Sequence, residues 1–442
     1  MQFIPNILFI IALVAGVGFF IRNSKKIIRN IKLGKKVDVS NNKKQRWNNT
    51  IRIALGQSKM VVRPIPGILH IFVYVGFIII NIEMLEIVID GVFGTHRVLS
   101  FMGGFYDVLI ASFEILALLV IVGVALFWTR RNIVHIKRFV MKEMKGWPKL
   151  DANLILYIEF VLMVLFLLMN ATDYQLQLKG AEGYHVAGKF PISGMIAPWF
   201  ENMSISSLII FERSAWWLHI LGVLVFLNYL YYSKHLHIIL AFPNVYYGSV
   251  DPKGKFPILE SVKKEVEMMM DPNADPFAAP AEDQGEEDSK FGASDVMDLT
   301  QAQLLNAYTC TECGRCTSVC PANITGKKLS PRKIMMDTRD RLEEVGKNID
   351  ANNGEFKPDD KQLLDDYISR EELWACTTCN ACVEACPVSI NPMSIIMSMR
   401  QYLVLEESAA PAELNVAMSN IENNQAPWPY NQMDRLNWRD EK

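Results

Sequence analysis

The chain has 442 residues, 50% of them hydrophobic and 21% charged, with a formal net charge of −2. The length allows two or three domains. The composition excludes a disordered chain and a collagen-like fibre, and the lack of a basic excess argues against a nucleic-acid partner. The average hides a division, because residues 1–245 carry long apolar runs whereas residues 250–442 are charged and hold all eight cysteines.

Five apolar runs approach or exceed the roughly 20 helical residues that cross a bilayer core. They fall near 4–22, 64–88, 105–128, 152–170 and 206–233. The first has no basic segment ahead of it and no small-residue cleavage site behind it, so it reads as a retained anchor rather than a signal peptide. Its positive charges follow it: from Arg22 to Arg63 the basic residues face a lone Asp38, and a second basic loop runs from Arg130 to Lys149. Positive loops stay inside. The expected topology therefore has the N-terminus outside and the cysteine-rich half in the cytoplasm of a bacterial or archaeal cell. That reducing compartment suits cysteines used as metal ligands.

An ionisable side chain in a membrane helix is a functional candidate. His70 lies near the cytoplasmic end of run two, His219 in the outer half of run five, and His235 and His237 where run five meets the cytoplasm. His96, His135 and His185 fall in loops and read as surface histidines. In an unbroken helix, residues 18 apart are five full turns apart, so His219 and His237 share a face about 27 Å apart and His235 points elsewhere. His70 and His237 share a depth, as two histidines clamping a haem iron must. The competing reading makes His235 and His237 snorkelling interfacial residues. His219 lacks a partner at its depth, which leaves open a second haem through a loop histidine, a quinone contact, or a bond inside the bundle.

Residues 271–298 are rich in Pro, Ala, Gly and acidic side chains without apolar periodicity, the composition of a flexible linker. The resulting division is a transmembrane domain (1–245), an acidic linker (246–298), a cysteine-bearing domain (299–407) and a docking tail (408–442).

Cys310, Cys313, Cys316 and Cys320 form C-x2-C-x2-C-x3-C followed by Pro321, and Cys376, Cys379, Cys382 and Cys386 repeat it before Pro387. This is the ferredoxin run for [4Fe–4S] clusters, in which the fourth cysteine serves the other cluster. Cys310, Cys313 and Cys316 are thus expected to pair with Cys386, and Cys376, Cys379 and Cys382 with Cys320. Zinc sites use two C-x2-C pairs or mixed Cys/His sets, which this is not. The 55 residues between the motifs (321–375) predict helices near 331–345 and 359–373.

The stretches CTECGRCTSVCPANITGKKLSPRKI and LWACTTCNACVEACPVSINPMSIIMSMR resemble the dicluster subunit of heterodisulfide reductases and the iron–sulfur subunit of anaerobic glycerol-3-phosphate dehydrogenase. GILHIFVYVGF and WWLHILGVLVFLNYLYYSKHLHII resemble the haem b gamma subunit of respiratory nitrate reductase. The fusion is similar to the front part of membrane iron–sulfur oxidoreductases, including electron-transfer-flavoprotein:menaquinone oxidoreductases, and QAPWPYNQMDRLNW looks like the Pro-Trp segment that follows their dicluster domain.

The gamma subunit has four haem-ligand histidines, two on its second helix. Here Ile80 stands where the second of those would fall. By position His70 and His237 match one ligand pair, and His219 matches one member of the other. The resemblance implies one b-type haem, with a second left open, and quinone as substrate. The CCG domains of the fused oxidoreductases have no counterpart in this sequence. A cysteine-rich soluble subunit, or an electron-transfer flavoprotein, is the expected partner.

The expected fold is mainly α: a five-helix transmembrane bundle followed by a cytoplasmic α-helical ferredoxin-type dicluster domain. The expected function is a membrane electron-transfer subunit. A haem-free anchor with relay clusters and a membrane-tethered redox sensor are its rivals.

Overall fold

The computed structural model describes residues 4–440 apart from 253, 257 and 272–289. Residues 272–289 of the acidic linker therefore lie outside the described residues. Among the described residues the chain is helical and forms no named strand.

Five helices are long and apolar enough to cross a membrane: Ile4–Lys32, Pro64–Phe93, Gly104–Asn132, Trp147–Leu178 and Ile205–Tyr232. Proline sits in the first turn of the second and fourth, where its missing N–H is no loss. Ser204 caps the fifth, its Oγ accepting from Ser207 N at 3.2 Å. Their burial is inverted relative to a water-soluble bundle. Ile7, Leu8, Ile11 and Val14 of the first helix are exposed, while Glu83, Glu114, Asn170, Asp173 and Glu212 are buried between helices. That is the arrangement hydrocarbon selects, with apolar side chains outward and ionisable ones inside.

The first four helices outrun their apolar cores. The first continues through its basic residues to Lys32, and its end docks onto the cysteine-bearing half. Asn30 Nδ2 donates to Tyr308 Oη at 2.8 Å, and Arg29 pairs with Asp350. A Cβ on Gly346 would stand 2.5 Å from Asn30 Nδ2, so only glycine lets the two halves approach this closely. Lys35 N donates to Leu299 O at 2.8 Å and Gln301 N returns to Lys35 O at 2.9 Å. Ile27, Leu230 and Leu236 belong to the same hydrophobic core as Leu304, Leu342 and Ile395, so the two halves share one interior.

Three expectations change. Run five does not continue as one helix to His237. Ser233 is extended (φ −111°, ψ 144°), a short 3-10 turn spans Lys234–Leu236, and a new helix runs His237–Tyr247. Residues 290–298, grouped with the linker by composition, pack into the dicluster core through Ala293 and Val296. There Lys290 and Asp298 form an ion pair at 2.7 Å, and Asp295 pairs with the fully buried Arg341 at 2.8 Å. The helix expected over 359–373 is two short pieces, Leu363–Asp366, itself kinked by Asp365 at φ +69°, and Arg370–Trp374, started by a capping box between Ser369 and Glu372. The helix Pro331–Ala351 forms as expected and runs six residues further. In the tail, Ala412–Asn424 is helical with no buried residue.

Candidate iron–sulfur sites and the buried histidines

Cys310 follows the helix Gln301–Thr309, whose start is fixed by a capping box between Thr300 and Gln303. Glu312 (φ +55°) and Gly314 (φ +69°) are both left-handed, which curls the loop between cysteines before the short helix Arg315–Val319. The second motif repeats the backbone, with Thr378 (φ +53°) and Asn380 (φ +60°) ahead of Ala381–Ala385. A Cβ on Gly314 would run into Arg332 Nη1, so that position admits only glycine. Asn380 meets the same backbone demand with a residue that tolerates it.

The helices Arg315–Val319 and Ala381–Ala385 pack on each other, and this crosses the fourth cysteines. Cys310, Cys313, Cys316, Cys386 and Cys382 line one pocket with Arg315, Arg332 and Met335. Burial pushes the Cys310 thiol up to about 12 and the Cys386 thiol up to about 11. Burial, then the neighbouring Cys376 and Cys320, push Cys382 up to about 12. Cys320 and Cys379 also add to the rise at Cys376, which burial leads. Cys386 thus sits with the first motif and Cys320 with the second. All eight thiols are free of disulfides.

Buried thiols this reluctant to ionise become thiolates only against strong local positive charge. Iron provides that charge, and the sulfur-only donor sets in groups of four fit a [4Fe–4S] cluster. Thr378 N donates to Cys376 Sγ at 3.4 Å and Ile390 N to Cys386 Sγ at 3.3 Å, and donors to ligand sulfur are one control on cluster potential. The two sites differ in setting. Arg332 is fully buried beside the first and donates to Arg138 O at 2.6 Å and to Glu143 at 2.7 Å. Arg315 donates to Lys59 O at 2.9 Å and Met60 O at 3.0 Å, tying the first loop to the start of the second membrane helix. At the second site Cys379 is exposed.

The histidines gather in part. His70 lies within electrostatic range of both His235 and His237, and the rings of His235 and His237 are 5.5 Å apart. The break at Ser233 removes the helical phase relation between His219 and His237, and it brings His235 beside His237 rather than on a separate face. His237 Nδ1 is 3.1 Å from Lys234 O, and His219 Nδ1 is 3.0 Å from Leu162 O. Bonded through Nδ1, each leaves Nε2 free, as histidines that bind a metal through Nε2 commonly do. His70 Nδ1 is buried without a hydrogen-bond partner among the described residues. His235 Nε2 lies 3.4 Å from Glu159. His219 is buried near the middle of its helix rather than in the outer half, with the Phe166 ring 6.0 Å away.

His96 is not a surface histidine. Its Nε2 lies 2.9 Å from Asp173 Oδ1 inside a buried network that also holds Arg97. The only hint of this in the sequence is Asp173 itself, an acid inside an otherwise apolar run. His135 and His185 are exposed.

Residues 309–390 match the protein family described as "4Fe-4S dicluster domain". Among curated proteins the chain is similar to "Probable iron-sulfur-binding oxidoreductase FadF" of Bacillus subtilis, 30% identical over 98% of this chain and 61% of that protein. It is also similar to "EtfAB:quinone oxidoreductase" of Syntrophomonas wolfei, 25% identical over 88% of this chain and 53% of that protein. An iron–sulfur subunit of the CoB--CoM heterodisulfide reductase of Methanopyrus kandleri is 27% identical over 28% of this chain and 54% of that protein. The chain thus spans 61% and 53% of the lengths of the two relatives that match nearly all of it. No solved structure matches it. The protein carries a 4Fe-4S dicluster domain on a bundle of five membrane-type helices and is homologous to proteins named as iron–sulfur oxidoreductases.

Proposed function

We propose that this chain is the membrane electron-transfer part of an iron–sulfur oxidoreductase. It passes single electrons between the quinone pool, a b-type haem and two [4Fe–4S] clusters, and exchanges them with a soluble redox partner. One observation carries the reading. Glu312, between Cys310 and Cys313, pairs with Lys234, the residue before His235 and three before His237. The first cysteine loop and the buried histidines are therefore neighbours across the seam between the two halves.

In this reading Cys310, Cys313, Cys316 and Cys386 hold one cluster, and Cys376, Cys379, Cys382 and Cys320 hold the other. Each cluster supplies one-electron redox chemistry. His70 and His237 hold the haem, with His235 packed against His237. The chain itself positions these groups and excludes water from the buried one. The exposed side at Cys379 is the exchange face for a soluble partner, either a cysteine-rich CCG-type subunit or an electron-transfer flavoprotein. The excess of Lys and Arg between the first and second helices, and between the third and fourth, puts the dicluster half in the cytoplasm and the N-terminus outside.

A haem-free anchor that only relays electrons through its clusters is the rival, since His219 and His237 are also satisfied by backbone carbonyls. A reduced-minus-oxidised optical spectrum of the anaerobically purified chain decides between them. The proposal expects a sharp b-type band on top of the broad bleaching of the clusters. Cluster absorption alone would leave the anchor.

A further inference from the structure

At the end of the bundle far from the dicluster half lies a cavity of about 230 Å³ between the first, second, fourth and fifth membrane helices. Asn6 on its wall and Asn30 at the docked end are about 36 Å apart along the first helix. Phe9, Trp216 and Trp217 give it an aromatic wall, with Phe9 and Trp216 5.3 Å apart between ring centroids. The opposite side is polar, and most of that polarity is already used. Glu86 accepts from Leu99 N at 2.8 Å and Tyr106 Oη at 3.0 Å. Asp173 accepts from Arg97 Nε at 2.6 Å and meets His96 Nε2 at 2.9 Å. Glu212 pairs with Arg213 and accepts from Tyr184 Oη at 3.0 Å.

Two lining atoms stand outside this network. Glu83 Oε2 and His96 Nδ1 are buried without a hydrogen-bond partner among the described residues, and Glu83 is 2% exposed. A buried carboxylate oxygen left unpaired is costly, so it is a place where a ligand belongs. The volume is below the roughly 300–1,000 Å³ of drug-sized pockets, which suits a single small ring system. One wall is the first helix, the helix with the most lipid-facing surface, so an attached apolar tail has a path into hydrocarbon.

We propose that this cavity binds the headgroup of a quinone or quinol. The ring lies against Phe9 and Trp216, and its oxygens pair with Glu83 and His96. A carboxyl and an imidazole each donate to a quinone carbonyl when protonated and accept from a quinol hydroxyl when not. Asp173 holds the imidazole at its other nitrogen and fixes its orientation. The inference rests on the reading of the chain as an electron carrier that meets the quinone pool, and it assigns that meeting to one end of the bundle.

The test is titration of the full chain in lipid nanodiscs with a short-chain naphthoquinone, read by tryptophan fluorescence. Saturable quenching is expected, and Trp216→Phe with Trp217→Phe should remove most of it. Glu83→Leu and His96→Ala should each weaken binding about tenfold, the loss of one good hydrogen bond. Should Glu83→Leu fail to fold, Glu83→Gln, which keeps the shape, still reports through a shifted affinity. Quenching that survives the tryptophan pair, or wild-type affinity in both polar variants, overturns the site, as does quenching that added phospholipid reverses. If those variants still exchange electrons with quinone at the wild-type rate, the site is wrong and the electron-transfer reading stands. If quinone binds as expected but never exchanges electrons with the wild-type chain, the reading fails and the site stands.

Discussion

Lys234 and Glu312 form an ion pair with side chains only 7% and 2% exposed, joining the break after the fifth membrane helix to the loop that carries Cys310 and Cys313. Burial alone would raise the Glu312 carboxyl, but Lys234 and Arg339 outweigh it and hold the group below its ordinary value. Removing a buried partner outright typically costs about 3–5 kcal/mol, a ceiling here because Arg339 stays 2.9 Å from Glu312 and Asp151 3.7 Å from Lys234. Lys234→Met and Glu312→Gln should each lower the thermal midpoint markedly. The double variant should be less damaged than the sum of the two, since the direct Lys234–Glu312 attraction is lost only once. Additive losses in a double-mutant cycle would show that the pair does not couple the halves.

Cys386→Ser should disturb the cluster held by Cys310, Cys313 and Cys316, although Cys386 lies in the second motif. Cys320→Ser should disturb the other. Electron paramagnetic resonance of the reduced variants separates the two signals. Loss of the sequence-local cluster in each variant would reverse the pairing.

His70→Ala and His237→Ala should each abolish or severely reduce the b-type haem band. His235→Ala should shift the band rather than remove it, because its ring packs against that of His237. An unchanged spectrum without His70 would end this ligand assignment.

Gly314→Ala places a side chain at φ +69° and against Arg332 Nη1. The left-handed backbone alone costs about 1–2 kcal/mol. Anaerobically purified variant should retain less iron and sulfide at the first site. Asn380→Gly, at the matching position of the second motif, should retain wild-type content. Equal retention in all three proteins would mean that the loop conformation does not limit cluster binding.

The five crossings were legible because hydrocarbon demands long apolar runs, and the cysteine spacing because cubane ligation demands close thiols on a tight loop. The break at Ser233 was not. No proline or glycine marks Tyr231–His237, and the chain turns because a local cap and a distant carboxylate together reward it. Ser233 Oγ accepts from His235 N at 3.0 Å, and Asp151 accepts from Lys234 N at 3.2 Å. Residues 290–298 look like linker by composition, but Asp295 and Asp298 are consumed by Arg341 and Lys290. His96 reads as a loop histidine until Asp173, 77 residues away, is seen beside it. In each case a tertiary partner overrides the local signal.

Continuity from the clusters to the membrane is tested most directly by reoxidation. The purified chain in nanodiscs is reduced with dithionite, freed of excess reductant and mixed anaerobically with a short-chain naphthoquinone while its spectrum is followed. The account predicts prompt return of the cluster absorption together with loss of the reduced haem band in the wild-type chain, with cluster reoxidation at least about tenfold slower in His237→Ala. Reoxidation of the clusters at the same rate in both, or no reoxidation in the wild-type chain, would contradict it.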